Sequence, residues 1–193
     1  ECLDSLLNQR VDFEIEIVLG EDESDDGTRE ICEEYAQEFP QIRLIKRKRE
    51  DMISIDGRPS GRYNYIKNLE TTTGAYVAIC EGDDYWMDPD RLQKQVDFLE
   101  RNPQYIAVTG DTRYIRNGEL GGKYSETKFS WLKRKLKNDL SYFDMATHLF
   151  PHTSTWVFRN SFDLPVDFRK YHVGDVPLFM LLSSQGKVGY IDE

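Results

Sequence analysis

The chain has 193 residues, 39% of them hydrophobic, and its 25 basic and 35 acidic residues give a net charge of −10. That length suits one domain with a sizeable core, and the acidic balance argues against a general nucleic-acid surface. No run approaches the roughly 18 apolar residues of a membrane span, and no signal-peptide pattern is visible. Cys2, Cys32 and Cys80 are widely separated and form no C-x-x-C pair. A disulfide framework or zinc ribbon is therefore not expected, and a reducing, cytoplasmic setting is.

The opening "ECLDSLLNQ" reads as a helix already under way, with Leu3, Leu6 and Leu7 on one face, and "GKVGYIDE" closes the chain directly after a strand. Both ends are expected to belong to a longer protein. In "FEIEIVLG", Phe13, Ile15 and Ile17 alternate before Val18 and Leu19, a strand pattern. The next stretch, "GEDESDDGTREICE", imitates the spacing of an EF-hand calcium loop. An EF-hand lies between two helices and wants an apolar residue near its eighth position, where this chain has Arg29. A D-x-D-G-T phosphatase nucleophile is also missing, since the only matching window starts at Ser24. Ile31, Cys32, Tyr35, Ala36 and Phe39 continue at helical spacing, with Asp26 as N-cap. Capping leaves Glu21, Asp22 and Glu23 unexplained, and crowded carboxylates repel unless a ligand or cation relieves them.

"IRLIK" is a strand, followed by the basic run Lys46 to Arg49, a polar loop to Gly61 and a helix over 63–72 with Tyr65, Ile66 and Leu69 inward. "AYVAIC" is a strand apolar on both faces. It runs into "EGDDYWMDPDRLQKQVDFLE", where Asp88 as N-cap and Pro89 in the first turn open a helix carrying Leu92, Val96 and Leu99. "YIAVTG" is a strand, and 116–128 reads as a mobile Gly-rich loop. The basic segment "WLKRKLKNDLSYFDMATHLF" invites peripheral contact with an anionic membrane surface, weighed against an ordinary solvated helix face. "STWVFR" is a strand, "GDVPLFMLLSSQG" an apolar helix with a Gly stop, and "KVGYI" the last strand. Strands alternating with helices predict an α/β fold with a largely parallel sheet.

Two strand ends carry acidic turns, Glu21-Asp22 and Glu81-Gly82-Asp83-Asp84, and open α/β sheets bind ligands beyond the carboxyl ends of their strands. Carboxylates are preferred ligands of Mg²⁺ and Mn²⁺, whose shells substrate phosphates often complete. With no Walker A loop or G-x-G-x-x-G, a divalent cation would neutralise phosphate charge.

With "EDESDDGT", "CEGDDYWMDPDRLQKQVDFLE", "HTSTWVFR" and "GDVPLFMLLSSQGKVGYI", the chain resembles the family 2 glycosyltransferases over nearly its whole length. The resemblance implies a GT-A, Rossmann-like three-layer sandwich across 1–193, with a nucleotide-sugar half at 1–110 and an acceptor half at 111–193. It implies nucleotide-sugar contacts from Glu21, Asp22, Arg62, Asn64 and Asp84, with Asp22 at the nucleobase. Glu81 and Asp83 would stand at the metal-binding D-x-D positions, with Glu first as a departure. Asp175 matches the catalytic base of inverting members, and His152, Thr153 and Thr155 would line the acceptor side. The expected ligands are a nucleotide-diphospho-sugar, a UDP-sugar being favoured, a Mn²⁺ or Mg²⁺ ion, and a saccharide or lipid-linked acceptor. Bacterial surface-polysaccharide assembly at the cytoplasmic face follows from the family alone. The alternative is a non-catalytic nucleotide or cation binding domain.

Overall fold

Strands and helices alternate as the apolar patterning requires. The computed structural model describes residues 1–55, 58–127, 139–147, 151–171 and 174–191. Helix α1 (Cys2–Leu7) precedes strand β1 (Ile17–Glu21), helix α2 (Thr28–Glu38) and strand β2 (Ile42–Lys46). Strands β3 (Ile53–Ile55) and β4 (Arg58–Ser60), helix α3 (Arg62–Leu69) and strand β5 (Tyr76–Ala78) follow. Next come α4 (Arg91–Arg101), β6 (Tyr105–Gly110), β7 (Arg113–Arg116) and β8 (Glu119–Lys123). Short helices α5 (Tyr124–Thr127) and α6 (Tyr142–Thr147) lead to β9 (Val157–Arg159), α7 (Asp175–Gln185) and β10 (Lys187–Ile191). Among the described residues, no helix is long and apolar enough to cross a membrane.

The chain divides into two compact units. One comprises Glu1–Asp12, Ala75–Phe162 and Leu178–Glu193. Its sheet has the order β10-β6-β9-β5 and is mixed: β10 and β6 are parallel, while β9 runs antiparallel to β6 and β5. Val108, Val157, Phe158 and Val188 of the strands, Leu99 of α4 and Leu178 and Leu182 of α7 are all buried, the apolar core that keeps this sheet folded. The Trp156 and Phe179 rings stack at 3.9 Å. Arg159 donates to Leu99 O (2.6 Å), Tyr105 O (2.9 Å) and Tyr76 Oη (3.0 Å), joining three elements through one guanidinium.

The other unit comprises Phe13–Gly74 and Asp163–Pro177. Here β1 and β2 pair in parallel from Ile17↔Ile42 to Glu21↔Lys46, with α2 as the crossover. Both strands thus end side by side, and the acidic turn begins there. Among its described residues, Ile17, Cys32, Ile42, Ile66 and Phe168 are the buried apolar ones.

Several boundaries differ from the sequence pattern, each for a local reason. Strand β1 starts at Ile17 rather than Phe13, because Glu16 turns its carboxylate onto Thr73 N (2.5 Å), Thr73 Oγ1 (2.7 Å) and Gly74 N (3.1 Å). The N-cap of α2 is Gly27, at φ 91°; Asp26, expected in that place, stands one position before it, and its Oδ1 accepts from Thr28 N. Ile31 is 53% exposed, off the buried face. Helix α4 starts at Arg91, since Asp88 O accepts from Gln9 and Pro89 O from Arg10 N; Asp88 Oδ1 caps Asp90 N in a turn ahead of the helix. Of the segment expected to be a mobile loop, 116–123 closes the β7–β8 hairpin, whose Asn117-Gly118 turn has φ 53° and 79°, and 124–127 forms α5. Positive φ at both central positions is what favours Asn and Gly in such turns. The basic run proposed for membrane contact lies outside the described residues, apart from the stretch around α6.

Candidate active site

At the paired ends of β1 and β2, charge is concentrated on a small area. Glu21 is 3% exposed and accepts from Ser24 N and from Arg29 Nε, both at 2.6 Å. Burial opposes its ionisation, but these donors outweigh burial and hold the carboxyl below its ordinary value. Glu21 is committed to shaping the turn. Asp22 differs: it is half-buried, and among the described residues its carboxylate accepts no hydrogen bond. Burial raises its pKa, opposed by the Arg47 cation and reinforced by Glu21. A desolvated acceptor of this kind is suited to a ligand donor.

Arg47, one of the basic run, is 9% exposed and donates to Asn64 Oδ1, while Asn64 Nδ2 donates to Gly20 O at 2.9 Å. Both ends of the Asn64 amide therefore hold the protein together. Gly20 makes this possible, since a Cβ there would land on Asn64 Oδ1, Arg47 Nη1 and Asn68 Oδ1. Arg62 is 7% exposed and donates to Phe168 O at 3.1 Å, tying α3 to the 3₁₀ turn Val166–Lys170. Asp175 is the first residue of α7 and half-buried; the preceding Gly174 lies against the Tyr65 ring, where a Cβ would come within 3.0 Å.

In the other unit, the acidic turn after β5 is built around a residue that lies between two of the sequence candidates. Ser154, 4% exposed, donates from Oγ to Asp84 Oδ2 at 2.5 Å and accepts from Glu81 N at 3.0 Å. Its carbonyl accepts from Trp86 Nε1 at 2.9 Å, and Asp84 N donates to Glu81 O at 3.0 Å to close the turn. His152 Nδ1 lies 3.5 Å from Asp84 Oδ2. Glu81, Asp84 and His152 each present a ligand atom, all within 4.8 Å of one another. Two carboxylates and an imidazole suit a divalent cation such as Mn²⁺, which tolerates nitrogen better than Mg²⁺ does. Asp83 is exposed and is not a member of that group, although it lines the adjoining cavity. Thr153 and Thr155 are buried, and Thr155 Oγ1 is engaged by Thr109 Oγ1 (2.6 Å) and His152 O (2.7 Å).

The cavity has a volume of about 410 Å³, within the usual range for small-molecule sites. Asp83, Asp84 and His152 line it, together with Tyr114 and Leu120 of the β7–β8 hairpin.

The sequence profile of the glycosyl transferase family 2 matches residues 1–164, most of the chain. The chain belongs to glycosyltransferase family 2. With that membership comes the GT-A, Rossmann-like fold, of which the α/β elements and mixed sheet with parallel pairs are the local expression. The uncharacterized protein Rv1520 of Mycobacterium tuberculosis is 35% identical over 178 residues, covering 87% of this chain and 47% of that protein. The dTDP-rhamnosyl transferase RfbG of Shigella flexneri is 29% identical over 134 residues, covering 68% and 45%. The minor teichoic acid biosynthesis protein GgaB of Bacillus subtilis is 27% identical over 131 residues, 67% of this chain and 14% of that one. The chain spans about half the length, or less, of these relatives.

Within this family 2 domain, three residues were not singled out from sequence: Arg47, Ser154 and Gly20. Arg47 was hidden in a basic run that reads as surface. Ser154 sits between two threonines with the same hydrogen-bonding chemistry. Only the fold brings position 154 to the acidic turn, 70 residues from Asp84.

Proposed function

We propose that the chain transfers a glycosyl group from a nucleoside-diphosphate sugar to an acceptor hydroxyl, with inversion at the anomeric carbon. The observation that carries this reading is the convergence of Glu81, Asp84 and His152 on one small volume beside a cavity of ligand size. Those three residues would hold a divalent cation, which supplies neutralisation of charge on the departing diphosphate. This moves the cation assignment from Asp83 to Asp84 and makes His152 a ligand. Asp83, exposed at the cavity, is left to face donor hydroxyls.

Asp22 is assigned the nucleobase. Its half-buried carboxylate would accept from the N3–H of uracil, and Arg47, fixed by Asn64, keeps negative charge at that position affordable. Thymine offers the same N3–H, in keeping with the dTDP named for the relative RfbG. Cytosine carries no hydrogen at N3. Asp175 takes the proton from the acceptor hydroxyl as that oxygen bonds to the anomeric carbon and the bond to the diphosphate oxygen breaks. Exchange of Asp175 for Asn should leave nucleotide binding intact and lower transfer roughly 10²-fold or more.

The test of the reading is a melting-temperature screen of UDP, dTDP, CDP and GDP, each with and without Mn²⁺. A ligand that binds only the folded state raises apparent stability. UDP or dTDP should stabilise in the presence of Mn²⁺ and CDP should not. Equal responses to all four, or none to any, would reject the donor assignment.

A further inference from the structure

Two of the three cysteines meet in space although 78 positions separate them. Cys2 Sγ of α1 lies 3.8 Å from Cys80 Sγ, the residue immediately before Glu81. Both thiols are partly exposed, whereas Cys32 is buried in α2 as a small apolar residue would be. Both sulfurs also reach the backbone of the acidic turn. Cys2 Sγ is 3.5 Å and Cys80 Sγ 3.7 Å from Glu81 O, and Cys80 Sγ is 3.9 Å from Asp84 O. Neither packing nor the proposed transfer chemistry requires a second thiol there.

We propose that Cys2 and Cys80 are a redox pair, whose reversible disulfide reshapes the acidic turn and weakens its hold on the divalent cation. A bond requires the sulfurs to close from 3.8 Å to about 2 Å. Helix α1 is the element able to yield, being six residues long with none of them buried. The oxidant is a low-molecular-weight disulfide. One cysteine sulfur attacks it, the small disulfide's S–S bond breaks, and one small thiol leaves with a proton. The second cysteine sulfur then attacks the mixed disulfide, forming the Cys2–Cys80 bond and releasing the second small thiol. The protein loses two electrons and two protons, and the small disulfide gains them. Oxidation also removes both S–H groups from the carbonyls of Glu81 and Asp84, the backbone that presents two of the proposed cation ligands.

The formation of the bond stands on the thiol geometry alone; its effect on cation binding rests on the function proposed above. The experiment separates them. The full chain is equilibrated with oxidised glutathione, and a second sample is kept reduced with a phosphine. Peptide mapping without reductant should show the peptides containing Cys2 and Cys80 joined in the oxidised sample, released again by reductant, with Cys32 still a free thiol. Separate glutathione adducts on Cys2 and Cys80, with no cross-link, would overturn the pair. Melting temperature is then followed against Mn²⁺ alone. The reduced protein should be stabilised, and the oxidised protein should lose at least half of that response. A cross-linked protein responding like the reduced one would overturn the effect on the turn. A reduced protein indifferent to Mn²⁺ would overturn both the cation site and the proposed effect, while the peptide map still decides the bond. Cys2→Ser, on an element with no buried residue, should abolish the cross-link and keep the Mn²⁺ response under oxidising conditions; loss of that response in Cys2→Ser would count against the proposal.

Discussion

The two neighbouring acids at the end of β1 have opposite environments and therefore opposite roles. Glu21 is buried and supplied with donors, and its carboxyl is held below the ordinary value of 4.5. A depressed carboxylate contributes stability that is present above the unfolded pKa and lost as pH falls through the folded one. Glu21→Gln should therefore destabilise the protein by about 2 kcal/mol at neutral pH, the cost of breaking charged hydrogen bonds in a buried site. The difference from wild type should shrink as pH drops below 4.5. Denaturant melts of both proteins at pH 7 and pH 4 check this. Asp22, lacking donors of its own among the described residues, should instead matter for ligand. Asp22→Asn should weaken UDP binding by about 1–3 kcal/mol, because the amide oxygen accepts from N3–H without the carboxylate's charge. Asp26, exposed and accepting from Thr28 N at 3.1 Å, should tolerate Asn with little effect on UDP. Similar losses of UDP affinity in the two variants would contradict this division of roles.

Elements whose apolar pattern was strong were legible in the sequence. Strands β2 and β6, helix α7 and strand β10 stand where Ile42–Lys46, Tyr105–Gly110, Asp175–Gln185 and Lys187–Ile191 predicted them. Boundaries set by long-range polar contacts were not: Glu16 leaves the β1 ladder for Thr73, and Gln9 and Arg10 hold Asp88 and Pro89 ahead of α4. The β7–β8 hairpin carried a readable Asn117-Gly118 turn, but Tyr114, Ile115 and Leu120 are exposed, so no buried face announced the strands. The acidic turn shows the same division. Its carboxylates were visible in "EGDD", while the short 3₁₀ turn Thr153–Thr155 that supports them was not. That support makes a prediction. Ser154→Ala should lower Mn²⁺ affinity roughly 10–100-fold, since residues that orient metal ligands typically carry that much. Isothermal titration of Mn²⁺ into both proteins is the check; an unchanged affinity with altered melting temperature would mean Ser154 serves the fold alone.

For the whole molecule, the two compact units each carry one part of the proposed chemistry. The unit with β1 and β2 holds Asp22, proposed for the nucleobase, and Asp175, and the unit with the mixed sheet holds the cavity and Glu81, Asp84 and His152, proposed for the cation. With no Walker A or G-x-G-x-x-G motif among these 193 residues, the proposed cation is central to diphosphate binding. Calorimetric titration of UDP into the full chain, once in Mn²⁺ and once in EDTA, tests this most directly. Binding should be at least about tenfold tighter in Mn²⁺, equivalent to about 1.4 kcal/mol, with the difference abolished in Asp84→Asn. Equal affinity in Mn²⁺ and EDTA would contradict it.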